Sequence, residues 1–156
     1  MIQILCHPGH SKRGKKLAAR VAGSHYDTIV SPAVTKKDLD TLIFWGHGES
    51  SSVCKLTPID LAALIKRWKK KNKGLNTVEI ITCNAQHFSP PAHYNSFVNK
   101  LKIQLKAGFR SSTRNIKVKA LPKFKGGAEN AWSILLADHT NESWCYVSAP
   151  GKSDKV

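Results

Sequence analysis

Apolar residues in this chain follow two patterns. Short runs rich in β-branched and aromatic residues, Ile2-Gln3-Ile4-Leu5-Cys6, Thr41-Leu42-Ile43-Phe44-Trp45 and Val78-Glu79-Ile80-Ile81-Thr82, have strand length and read as core strands. Longer stretches repeat at helical spacing. Ser11 to Ala22 reads as a basic helix with Leu17, Ala18 and Val21 on its apolar side. Thr57 reads as the cap of a second helix, with Pro58 at the first position, Asp60 at the third, and Leu61, Leu64, Ile65 and Trp68 as the stripe. That helix is expected to end near Asn72-Lys73-Gly74, with Gly74 as its C-cap. A third runs from about Tyr94 to Lys106 with Phe97, Val98, Leu101 and Leu105 inward, and Gly108 ends it.

The weaker signals complete the outline. Thr28-Ile29-Val30 reads as a short strand stopped by Ser31-Pro32, and Lys36 to Asp40 as a connector. Ile116 to Leu121 alternates apolar with basic, which predicts a strand with one wet, cationic face. Trp132 to Ala137 and Ser143 to Ser148 flank a polar loop and read as a hairpin. Pro150 onward is a polar tail. There is no internal repeat and no linker. Residues 1–156 are therefore expected to form a single α/β domain, a mostly parallel sheet flanked by helices with a C-terminal antiparallel hairpin or flap.

Strand, helix, strand between Thr41 and Thr82 predicts parallel neighbours whose carboxyl ends point the same way. Gly46-His47-Gly48 follows the first strand and Cys83-Asn84 the second, at the sheet edge where α/β proteins keep their sites. An imidazole can take the thiol's proton and later protonate a leaving amine. His47 and Cys83 are therefore the candidate dyad. Glycine on either side of His47 favours a sharp turn and close approach of a substrate carbonyl. The Gly48 and Cys83 amides are the candidate oxyanion hole.

The 41% apolar content is that of a globular chain, with no run long enough for a membrane span. Met1 to Cys6 lacks the basic flank and cleavage site of a secretory signal. The four cysteines are scattered, with no CxxC, and read as thiols of a reducing, cytoplasmic setting. Cys6 and Cys145 are expected in the core; Cys54, in a Ser/Lys-rich loop, is expected half exposed and without a role. Charge adds a second theme. With 25 Lys and Arg against 10 Asp and Glu, the net charge is +15, which attracts polyanions. Three clusters carry it: Lys12, Arg13, Lys15, Lys16 and Arg20; Lys66 to Lys73; and Arg110 to Lys125.

His-Gly after one strand and Cys after the next resembles the caspase-like cysteine peptidases, among them caspases, legumain, gingipains, separase and clostripains. Trp45-Gly46-His47-Gly48, Leu56 to Ala62, Ile80 to Asn84, His93 to Val98 and Ile116 to Lys125 are most similar to the autoprocessing protease domains of multifunctional-autoprocessing RTX toxins and large clostridial toxins. The resemblance spans roughly Asp40 to Val147. It implies a toxin or effector endopeptidase with a His47–Cys83 dyad, no essential third carboxylate, and cleavage after a leucine-like or other small aliphatic residue. The substrate would be another protein or the chain's own linker, and delivery a leaderless route into a host cytosol. The resemblance requires no cofactor for the chemistry but implies activation by inositol hexakisphosphate. Lys12, Arg13, Lys117, Lys119, Lys123 and Lys125 are the residues assigned to that polyphosphorylated ligand.

Two other readings compete. Cys6-His7-Pro8-Gly9-His10, with His87 and His93, gathers metal-ligand types but matches no strong zinc spacing, so no metal site is assigned. The second is a non-enzymatic polyanion- or nucleic-acid-binding protein, favoured by the charge. It lacks a helix-turn-helix, RNP or zinc-finger motif, and Trp45, Trp68, Trp132 and Trp144 sit in apolar patterns.

Overall fold

A computed structural model describes residues 1–20, 24–30, 32–46, 52–82 and 97–120. Five strands, β1 Ile2–Cys6, β2 Ser24–Thr28, β3 Thr41–Gly46, β4 Thr77–Thr82 and β5 Lys117–Ala120, form one sheet in the order β2-β1-β3-β4-β5. All four pairings are parallel. Among the described residues three α-helices, α1 Ser11–Arg20, α2 Pro58–Lys71 and α3 Phe97–Lys106, lie between β1 and β2, β3 and β4, and β4 and β5. The α/β class and the parallel sheet thus stand. The expected C-terminal hairpin and flap lie outside the described residues.

Pleating divides the strands between two faces. Leu5, Leu42, Phe44, Val78, Ile80, Val118 and Ala120 join one buried cluster with Leu61, Leu64, Ile65 and Trp68 of α2 and Phe97, Val98, Leu101 and Leu105 of α3. Both helical stripes are therefore spent on one face, and α2 packs along α3. The opposite face carries Ile4, Cys6, Ile43 and Trp45, also buried. There α1 packs on β1 and β2, with the Lys15 ammonium 5.9 Å from the centre of the Tyr26 ring.

Helix α2 begins as its residues dictate. The Thr57 hydroxyl accepts from the Asp60 amide at 3.2 Å, and Asp60 lies in the first turn, where its charge suits the helix dipole. Its other end differs from expectation. Asn72, not Gly74, is the C-cap: its amide bonds the Trp68 carbonyl at 2.8 Å, and Gly74 does not adopt positive φ. The Asn72 side chain is buried and reaches across the chain. Its Oδ1 accepts from the Lys37 amide at 2.8 Å and the Leu39 amide at 3.4 Å, while its Nδ2 donates to Thr35 O at 2.9 Å and Trp68 O at 3.1 Å. One side chain thus ties the connector before β3 to the end of α2. Gly108 follows α3 with φ +102, as its position predicted.

The second strand is a correction. Ser24–Thr28 pairs with β1 in register Ile2↔Ser24 to Cys6↔Thr28, so the strand ends where Thr28-Ile29-Val30 was expected to begin. Ile29 is buried, but beyond the strand its amide donates to Cys6 O at 2.9 Å. A half-buried edge strand needs no continuous apolar run, so the apolar signal marked the residues after it.

Candidate functional site

The carboxyl ends of β1, β3 and β4 build one edge. Gly46 and Thr82 are register partners in the β3–β4 ladder, and Cys6 partners Trp45 across β1–β3. Helix α1 follows β1 on one face, whereas α2 and α3 cover the other. The β1–β3 junction is therefore where the winding reverses, the place where open α/β sheets take ligands. His47, Gly48 and Cys83 lie outside the described residues, but the two strands leading to the candidate dyad end at this edge: β3 at Gly46, β4 at Thr82.

Two described residues stand at this edge: His7, which the sequence reads as a loop residue able to line the cleft, and Cys54, which it left without a role. His7 continues from β1, its amide donating to Trp45 O at 2.8 Å. Its Nδ1 accepts from the Gly9 amide at 3.1 Å and caps the 3-10 turn Pro8–His10, so a neutral ring carries its proton on Nε2. Cys54 is the other. A Cβ placed on Gly46 would sit 2.5 Å from His7 Cβ and 2.6 Å from Cys54 Sγ. The thiol and the imidazole stem are thus within about 5 Å of each other, both pressed against Gly46. Gly46 is required by this close approach and not by an unusual φ, since its backbone is not left-handed. An isolated glycine at the end of a strand was the available signal.

Cys54 is buried at 8% exposure, against the expectation of a half-exposed thiol. The reason is local. Val53 and Leu56 exchange two backbone hydrogen bonds of 2.9 Å across a two-residue turn in which Cys54 (φ 50) and Lys55 (φ 66) are both left-handed. Such primed turns favour Asn and Gly. Here they turn the Cys54 side chain into the core cluster. Cys6 is buried as expected, and neither it nor Cys54 is in a disulfide. Burial, and secondarily the charge of Cys54, push the Cys6 thiol from 9.0 up to about 12. A thiol so raised is neutral at physiological pH and inert as a nucleophile.

The residues assigned to the polyphosphate do not converge among those described. Lys12 stands in the first turn of α1, reached from the carboxyl end of β1, and Lys117 opens β5 at the other side of the sheet. Three strand steps separate β1 from β5, roughly 14 Å. Lys117 is exposed and Lys119 half-buried, with Val118 and Ala120 buried between and after them; the Lys119 Nζ lies 3.3 Å from Oε1 of the buried Glu79, its register partner on β4. The alternation of apolar with basic is real, yet the second lysine is directed at a carboxylate on the neighbouring strand. Arg13 follows Lys12 in the first turn of α1, and Lys123 and Lys125 lie outside the described residues, as do His87, His93, Trp132 and Cys145. Among the described residues, no three His, Cys, Asp or Glu side chains are grouped to hold a metal ion, and no helix is long and apolar enough to cross a membrane.

No protein-family model, no curated protein and no solved structure matches this chain.

Proposed function

We propose that the chain is a caspase-like cysteine endopeptidase with His47 and Cys83 as its dyad. One observation supports this above all: Gly46 and Thr82 are paired at the ends of adjacent parallel strands. The residues that follow are the imidazole and the thiol. Neighbouring strands lie about 4.8 Å apart and one peptide step spans about 3.8 Å, so covalent geometry keeps the two Cα atoms within about 12 Å.

In the proposed reaction His47 takes the Cys83 thiol proton, and the thiolate adds to the peptide carbonyl. The Gly48 and Cys83 amides receive the oxyanion. His47 then passes its proton to the departing amine as the C–N bond breaks. Water, deprotonated by His47, cleaves the thioester and restores the thiol. The substrate is a protein segment with a leucine-like or other small aliphatic residue before the cut. Activation by inositol hexakisphosphate belongs to the same proposal; because Lys12 and Lys117 stand at different sides of the sheet and Lys119 is engaged by Glu79, it rests on Lys117 with Lys123 and Lys125, and Lys12 and Arg13 are not joined to them.

A leucyl acyloxymethyl ketone probe tests the reading. It should label Cys83, with labelling abolished in Cys83→Ala and slowed about 10²–10⁴-fold in His47→Ala. Labelling of another cysteine that survives Cys83→Ala would refute the dyad. The rival reading, a non-enzymatic polyanion binder, requires that Cys83→Ala leave function untouched.

A further inference from the structure

Charge is distributed unevenly. From Leu61 to Ala120 the chain carries 13 of its 25 basic residues and one acidic residue, Glu79. That carboxylate is buried and lies against Lys119, so none of this segment's negative charge opposes its basic surface. Part of that surface is concave. The second half of α2 and the turn after α3 enclose an open groove of about 600 Å³, lined by Lys66, Lys70, Lys73, Phe109, Ser111 and Ser112 among others. Helix α2 carries the chain from the end of β3 back to the start of β4. Its last turn therefore lies at the amino edge of the sheet, roughly 17 Å of strand from the edge bearing Gly46 and Thr82.

Phe109 is the unusual member. It is 92% exposed, yet it stands on a fixed turn. Gly108 (φ +102) and Arg110 (φ 54) on either side are left-handed. Ser111 Oγ and Thr113 Oγ1 both donate to Leu105 O, at 2.8 and 2.6 Å, and Thr113 is buried. The Arg110 guanidinium lies 5.2 Å from the ring centre. A large apolar ring is thus held out beside cations on a turn that needs no further ordering.

We propose that this groove binds single-stranded nucleic acid, with Phe109 as a stacking platform for a base and Lys66, Lys70 and Lys73 on the phosphates. Single-strand binders combine these two elements, a basic track and an aromatic face. Lys66 and Lys70 stand one turn apart on one side of α2, about 6 Å along the axis, and Lys73 follows in the turn after the Asn72 cap. Lys69 is spent elsewhere: its ammonium donates to Lys73 O and Leu75 O and holds the turn after the helix. The groove's volume suits a nucleotide-sized group and falls far short of a duplex. Its concavity also disfavours a membrane, which requires a convex or flat apolar face at the headgroup level. The groove is remote from the edge where β3 and β4 end and stands whether or not Cys83 is catalytic.

Fluorescence anisotropy of the full chain with a labelled 12-mer of deoxythymidine tests the proposal. Phe109→Ala is expected to weaken binding about 5- to 150-fold, the loss of one stacked base, with melting temperature unchanged because the ring is exposed. Phe109→Trp should retain binding. Replacing Lys66, Lys70 and Lys73 with Gln should lower the slope of log K against log salt by about 2. Heparin, which has no bases, should compete through the lysines with an affinity indifferent to Phe109→Ala. Equal oligonucleotide affinity in wild type and Phe109→Ala would overturn the proposal. So would phosphatidylserine vesicles that bind in a Phe109-dependent way while the oligonucleotide does not bind.

Discussion

Gly46→Ala is the substitution that most directly probes how the site edge is built. Its added Cβ would lie 2.5 Å from His7 Cβ and 2.6 Å from Cys54 Sγ, both well inside contact distance. Neither neighbour yields easily. His7 Cβ sits next to a backbone held by the bond from its amide to Trp45 O, and Cys54 stems from a left-handed turn pinned by two backbone bonds. Alanine's own backbone preferences are not at issue, because Gly46 is not left-handed. The cost is thus one of overpacking, about 1–3 kcal/mol. For a chain of this length each kcal/mol shifts the melting temperature by roughly 2–4 °C. Calorimetry should therefore show a fall of about 2–12 °C, and probe labelling at Cys83 should slow beyond the small loss of folded protein, since residue 47 is the next in the chain. Adding His7→Gly removes one of the two obstructions and should restore part of the loss, with a coupling of at least about 0.5 kcal/mol. A Gly46→Ala protein with unchanged melting temperature would refute the close approach, and additive double-mutant effects would refute its assignment to His7.

Other outcomes follow from single side chains. Asn72→Ala leaves the Lys37 and Leu39 amides and the Thr35 carbonyl without this partner, and at about 0.5–1.5 kcal/mol per bond should cost about 2–4 kcal/mol in urea denaturation. Thr57→Ala should cost about 1 kcal/mol by the same measurement, and Thr57→Ser much less, because the hydroxyl that accepts from Asp60 is retained. Iodoacetamide at pH 8 should leave Cys6 unlabelled in the folded protein, as mapped by mass spectrometry, and label it in urea. Because its folded value is raised from 9.0 to about 12, the folded state holds a proton that the unfolded chain releases. Cys6 therefore contributes stability that is fully present below pH 9 and is lost as pH rises toward 12, read as the difference between wild type and Cys6→Ala.

The sequence by itself determined most of the local structure. Three runs of β-branched and aromatic residues set β1, β3 and β4 within a residue. The stripes of α2 and α3 named the side chains that are buried, and Thr57-Pro58 set where α2 starts. These features are legible because they depend on neighbours along the chain: pleat alternation, helical spacing, a cap reaching three residues ahead. The parallel pairing of β3 with β4 was legible too, because one helix separates two short apolar runs. Other features depend on partners far away in sequence, and only the tertiary structure decided them. Strand β2 is polar at the sheet edge and is defined by its ladder with β1. Asn72 looked like the end of a helix, but its side chain is buried because the 35–39 connector passes it. Lys119 looked solvated, and Glu79 on the adjacent strand takes it. Cys54 looked like a loop thiol, and a left-handed turn buries it beside Gly46. In each case local spacing leaves the partner open, and close packing of segments tens of residues apart selects it.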